Sequence, residues 1–345
     1  MSRAKRFSGA VAVASAVALM LAGCGVGGGT PEAAKPTEQG SHGWSADTLR
    51  IDYAAYNPLS LIIKDQGWLE KSLGDDVKVT WVESTSSSQA NRALRSGSLD
   101  VGSTAGSAAL LARSTGSKIK AIDIFSQPNW AAIVVPKDSA IKTAKDLVGK
   151  NVAVARGTDP YFFLLQTLAK AGIGLNQVTI QDLPHAEGRA ALESGKVDAW
   201  SGLDPLISTS VETAGSKIVY DNPDFCSYGF LNATESFLSA SPDLAQLVVN
   251  AYEKARAWAE DHTAGAVKIL AKEAGISTEV ASSVLNDRTD LNIDPVPGKA
   301  QTAVLKVIGP FLVESGEVKN QALVDKAVKS LYSPSYAEKA DPNAL

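Results

Sequence analysis

Two stretches decide how this chain is built: ALRSGSLDVGS, Ala93–Ser103, and ALESGKVDAWS, Ala191–Ser201. They agree at six of eleven positions and begin 98 residues apart. Each reads as the end of a helix stopped by a glycine, Gly97 or Gly195, which suits the left-handed position just past a helix end. A short run of β-formers around a single Asp follows in both. Each run stops at a serine and enters a further turn and helix, STAGSAALLARSTG in one copy and SGLDPLISTSVETAG in the other.

The flanks repeat as well. LRIDYAAY, NPLSLIIKDQGWLEKSL and VKVTWVES precede the first copy; KNVAVARGT, DPYFFLLQTLAKAG and VTIQDLP precede the second. Both sets read strand, helix, strand, and the strands KIKAIDIF and SKIVYD come after the copies. Such alternation predicts mainly parallel sheets covered on both faces, in two α/β lobes of one plan. In open α/β sheets ligands sit beyond the carboxyl ends of the strands. That points to AAYNP, ESTSSS and GSTAGS in lobe one, and to ARGTDP and WSGLDP in lobe two. From about Ser236 the chain turns to amphipathic helical patterns, such as SPDLAQLVVNAYEKARAWAEDH, expected to return to lobe one and cover its apolar surface.

The 345 residues leave room for two domains, and 45% hydrophobic with 20% charged residues fits a globular protein. A net charge of −4 carries no nucleic-acid footprint. Two cysteines and three histidines exclude a disulfide framework and leave little for a metal site. No P-loop, H-E-x-x-H or nucleophile-elbow pattern is present.

The basic MSRAKR and the apolar FSGAVAVASAVALMLAG read as a secretory signal peptide over residues 1–23. LAGC, Leu21–Cys24, resembles the lipobox of bacterial lipoproteins, which implies acylation at Cys24 and a membrane-held protein. Residues 24–46, rich in Gly and Pro, read as a flexible tether. No later stretch is long and apolar enough to span a bilayer.

RALRSGSLDVGS, VVPKDSAIKTAKDLVGKNVAVARGT and ALESGKVDAWSGLDP together resemble the type II periplasmic-binding-protein superfamily. Within it they are most similar to the nitrate/sulfonate/taurine group of ABC-transporter solute-binding lipoproteins, the aliphatic-sulfonate binders in particular. The resemblance implies two lobes, 47–127 plus 229–345 and 128–228, with hinge strands near FSQPNWAAIVV and VYDNPDFCSYGFL, a cleft between them, and a helical tail on lobe one. It implies capture of a small organic anion, most readily a sulfonate, and delivery to the permease and ATPase of an importer. It further implies a monomer at the outer face of the bacterial cytoplasmic membrane, with no cofactor, no metal, no nucleic acid and no catalysis. Taurine, nitrate and a heterocyclic nutrient such as a thiamine precursor stay open as ligands. A Cys-dependent desulfinase on the same scaffold would have to use Cys226, and DFCSYGF offers no nearby base.

A sulfonate needs hydrogen-bond donors, and helix N-termini supply them. The candidate ligand contacts are therefore Ser103, Thr104 and Gly106 at one helix start, Gly157 and Thr158 at another, and Thr85 and Ser86 in the serine-rich loop. Arg156 adds a cation, unless Asp159 pairs with it. Asp159 itself is expected to cap its helix. Tyr53, Tyr56 and Asn57 follow the first strand without a charge, which favours a ligand with an apolar part. Trp200 is a candidate wall of the cleft, Trp130 lies near the hinge, Asp204 caps a helix or touches ligand, and Arg288 is placed to reach the cleft from the tail.

Overall fold

The computed structural model describes residues 43–345; the expected signal peptide, the expected acylation site Cys24 and most of the expected tether lie outside them. Chain order begins with β1 (Thr48–Tyr53), α1 (Pro58–Gln66), α2 (Trp68–Leu73), β2 (Lys78–Glu83), α3 (Ser87–Ser96), β3 (Val101–Ala105), α4 (Gly106–Ser114) and β4 (Ile119–Pro128). It crosses into β5 (Ala131–Val135), β6 (Asn151–Val154), α5 (Asp159–Ala171), β7 (Thr179–Asp182), α6 (His185–Glu193), β8 (Ala199–Leu203), α7 (Leu206–Ala214) and β9 (Lys217–Asp221). It then returns through β10 (Gly229–Thr234), α8 (Glu235–Ala240), α9 (Pro242–Asp261), α10 (Thr263–Ala274), α11 (Thr278–Ser282), β11 (Thr289–Asp290), α12 (Lys299–Glu314) and α13 (Gln321–Ser330).

The strands form two sheets, in the orders β11-β4-β10-β3-β1-β2 and β7-β6-β8-β5-β9. Apart from β11 the two orders correspond strand for strand, and the repeated segments supply β3 and β8, the third strand of each. The repeat has a local cause. Gly97 and Gly195 end α3 and near α6 with φ of 74° and 72°, and Leu94 and Leu192 are buried one turn earlier. Asp100 then accepts the backbone N–H of Arg50 at 2.9 Å, at the start of β1. Asp198 accepts that of Asn151 at 2.8 Å, at the start of β6. The same aspartate pins β3 to β1 in one lobe and β8 to β6 in the other, so both copies keep it.

The pairing is less uniformly parallel than expected. β1 pairs parallel with β2 and β3, and β6 with β7 and β8. But β10 lies antiparallel to β3 and β4, and β5 antiparallel to β8 and β9. These are the strands that have just crossed between lobes, so they enter their sheet from the opposite end. β3, β5 and β8 are buried along their whole lengths, as strands covered on both faces are. In the tail, α9 and α10 pack on α1, while α12 and α13 pack on α4; the helices do return to lobe one. Among the described residues no helix is long and apolar enough to cross a membrane.

Candidate functional site

The loops that follow β1, β2, β6, β7 and β8 face one another across a cleft of about 620 Å³, a volume suited to a small ligand. Lobe one contributes Tyr56, Glu83, Ser84 through Ser86, Ser88, Gln89 and Arg92. Lobe two contributes Ala155, Arg156, Thr158, Asp182, Pro184 through Ala186, and Leu203 through Leu206; Ala274 and Ile276 come from the tail. The Ser88 hydroxyl donates to the Arg156 carbonyl at 3.0 Å, so the lobes touch across the cleft.

Of the residues singled out from sequence, Tyr56, Thr85, Ser86, Arg156, Thr158 and Asp204 line this cleft. Ser86 caps α3 by accepting from the Gln89 N–H at 3.2 Å, and Thr85 donates twice to the Gln89 side chain. The Thr158 hydroxyl donates to the Ala155 carbonyl at 2.6 Å, and Tyr56 donates to the Ser103 carbonyl at 2.9 Å. Gly157 holds the chain between Arg156 and Thr158 at φ 71°, and a Cβ there would stand 3.2 Å from the Ser88 hydroxyl.

The other candidates do not line it. The start of α4 is already filled: Gly106 N–H donates to the Tyr228 carbonyl at 2.9 Å, and a Cβ on Gly106 would sit 2.8 Å from the Phe230 ring. Ser103 is turned to Asp52, and Thr104 lies between Asn232 and its own neighbour's carbonyl. Asn57 is buried, caps α1 and donates to Tyr252 at 2.9 Å. Tyr53 ends β1 under Lys64, whose Nζ is 4.5 Å from the ring centre. Trp200 is wholly buried; its ring fills the space that Gly188 and Gly202 leave open, so it is core. Arg288 stops short of the cleft wall and pairs with Asp204, which also accepts the Ser208 N–H at 2.9 Å near the start of α7.

Arg156 and Asp159 do not pair. The Arg156 guanidinium donates to the Tyr161 hydroxyl at 3.1 Å and lies 3.5 Å from Glu317. Asp159 does not cap α5; it accepts from Ser107, Trp130 and Ser227 instead. Cys226 is buried, and that burial, with Asp159 next in effect, pushes its thiol far up from the ordinary range. Such a thiol is the opposite of an activated nucleophile.

Sequence reasoning missed Arg92 and His185. Arg92 lies four residues after Ser88, hence on the same helical face, and among the described residues its guanidinium has no side-chain partner. His185 opens α6 on the cleft wall, and both ring nitrogens are buried without a partner. Burial pushes its pKa down to about 4, so the ring is neutral at physiological pH. Behind the cleft, burial lifts the Asp52 carboxyl to about 7 against the pull of Ser84 and Ser103. The rule that ligands face strand ends, applied to VTIQDLPH, would have found Asp182 and His185.

Residues 61–266 match the family described as NMT1/THI5 like. The chain is 31% identical over 283 residues, 80% of its length and 82% of the relative's, to a Bacillus subtilis (strain 168) protein named for binding aliphatic sulfonates. It is 30% identical over 264 residues, 76% of its length and 82% of the relative's, to an Escherichia coli (strain K12) protein named likewise. Its structure superposes on the alkanesulfonate-binding protein SsuA of Xanthomonas axonopodis pv. citri, solved bound to MOPS, with a TM-score of 0.73 at 27% identity, covering 82% of this chain and 98% of that one. With the matched region taking in the cleft-lining loops after β2, β6, β7 and β8, the chain belongs to the NMT1/THI5-like family.

Proposed function

We propose that this chain is the substrate-binding component of an ABC importer and captures a small organic anion, first an aliphatic sulfonate, by closing its two lobes on it. The observation that carries the reading is Arg92: a guanidinium with no side-chain partner among the described residues, on the wall of a cleft lined by Ser84, Thr85, Ser86 and Ser88. A sulfonate offers three acceptor oxygens and one charge, which a fork of guanidinium donors and nearby hydroxyls matches. The relatives named above are named for the same class of ligand. Closure is a shift of population toward the form in which both walls touch the ligand.

An amine-bearing sulfonate such as taurine is the second reading, because Glu83 and Asp182 place carboxylates on the same cleft. Export and acylation at Cys24 would hold the protein at the outer membrane face, beside the permease it serves. Lobe boundaries at 47–127 plus 229–345 and at 128–228 belong to this proposal.

Thermal unfolding with ethanesulfonate, taurine, nitrate and a thiamine precursor tests it. A ligand at a hundred times its Kd adds about 2.7 kcal/mol of stability. Stabilisation by a sulfonate that falls to about half or less in Arg92→Met is the expected result; no response to any sulfonate would overturn the assignment.

A further inference from the structure

Just behind the cleft, one carboxylate collects donors from three other parts of the chain. Asp159, at the start of α5, is 1% exposed. One of its oxygens accepts from the Ser107 hydroxyl at 2.5 Å and the Ser227 hydroxyl at 2.6 Å. The other accepts from the Trp130 indole N–H at 2.7 Å and the Ser227 backbone N–H at 2.8 Å. Ser107 lies on α4, which packs on the first sheet, and α5 packs on the second. Trp130 and Ser227 lie in the two segments that cross between lobes. A single side chain therefore ties both lobes to both crossings.

Asp159 has no lysine or arginine partner among the described residues, so hydrogen bonds alone work against the burial that raises its pKa. A buried carboxylate keeps its charge only while such donors stay in place. Parting α4 from α5 withdraws the Ser107 hydroxyl and leaves that charge short of a donor. The cluster also adjoins the ligand site. Thr158, the preceding residue, lines the cleft. The Trp130 ring stands edge-on to Tyr56, on the opposite wall, with centres 6.1 Å apart.

We propose that Asp159 is a positioning residue for ligand capture: its hydrogen bond to Ser107 latches the two lobes together in the closed arrangement and so sets how long a ligand is held. The proposal rests on the reading of the cleft as an anion-binding site between closing lobes. Ser107 does not line the cleft, and Asp159 lines a crevice that adjoins it at Tyr56, Thr158 and Leu203 and is too narrow to admit a water; the latch therefore acts through lobe position and not through ligand contact.

The test is rapid-mixing kinetics with ethanesulfonate on the full chain, comparing wild type, Ser107→Ala and Asp159→Asn. Ser107→Ala removes the hydroxyl bond from α4 to Asp159, leaves Asp159 three donors, and keeps the Ser107 N–H bond to Ser227 and the Ser88 bond to the Arg156 carbonyl. Dissociation is expected to rise at least about tenfold, the scale of one hydrogen bond to a charged acceptor. Association stays within about twofold. Asp159→Asn removes the charge-assisted acceptor and sets its NH₂ against the Ser107 and Ser227 hydroxyls, which must turn to accept it; dissociation is expected to accelerate here too. A merely structural role would lower the fraction of protein that binds and leave dissociation from the folded fraction unchanged; that result overturns the proposal. Small-angle scattering of ligand-free protein reads the latch independently. A larger radius for Ser107→Ala than for wild type supports it, and equal radii overturn it. If wild type binds no sulfonate while the variant still expands, the sulfonate reading fails and the latch stands.

Discussion

Replacing His185 by phenylalanine should remove a defined part of the pH dependence of folding. The imidazole is buried and both nitrogens lack partners among the described residues, so burial pushes its pKa from 6.5 down to about 4. The unfolded chain therefore takes up a proton at this position before the folded protein does. The stability contributed by a neutral His185 is complete above pH 6.5 and is lost as pH falls through that interval toward 4. Each pH unit between the two values is worth about 1.4 kcal/mol, so roughly 3 kcal/mol disappears across it. Phenylalanine has a similar shape and no proton to gain. Asp52 titrates in the opposite sense: burial raises its pKa to about 7, so its contribution weakens as pH rises. That effect is common to both proteins and cancels in their difference. Urea unfolding of the ligand-free proteins at several pH values between 4 and 8 supplies the comparison. The variant should gain roughly 3 kcal/mol on wild type between pH 7 and pH 4, with unchanged m-values. Parallel stability curves would refute the burial of a neutral, unpartnered ring.

Three further outcomes follow from the site and its surroundings. Arg92→Met should weaken ethanesulfonate binding at least about tenfold with little change in melting temperature, as calorimetry and a thermal scan would show; unaltered affinity would remove Arg92 from the site. Trp200→Ala should destabilise the protein by about 4 kcal/mol while the ranking of ligands stays as in wild type, because Trp200 fills core between Gly188 and Gly202; a changed ranking in a binding screen would put it back on the cleft wall. Cys226 should resist N-ethylmaleimide in the folded protein and react on unfolding, as peptide mass mapping can follow; fast labelling that abolishes binding would revive a functional thiol.

Much of the fold was legible because its signals are local. Gly97 and Gly195 mark helix ends wherever the rest of the chain goes, and Asp100 and Asp198 recur because each pins a neighbouring parallel strand, β1 or β6. The direction of β5 and β10 was not legible, since it depends on which lobe the chain has just left. The site was legible in outline, as loops after strands. It failed at Gly106, because an open helix start and one filled by the Tyr228 carbonyl have the same sequence. Trp200 failed for a related reason. A strand buried along its whole length gives no alternation to say which way its side chains point. Asp159 looked like a cap because capping needs only neighbours in sequence, whereas its partners lie 29, 52 and 68 residues away.

A crystal structure of the protein grown with ethanesulfonate tests the central claim most directly. The account predicts the sulfonate oxygens within hydrogen-bonding distance of Arg92 and the neighbouring hydroxyls, with the second lobe closed over the ligand. A sulfonate bound away from this cleft, or held by one lobe alone, would contradict it.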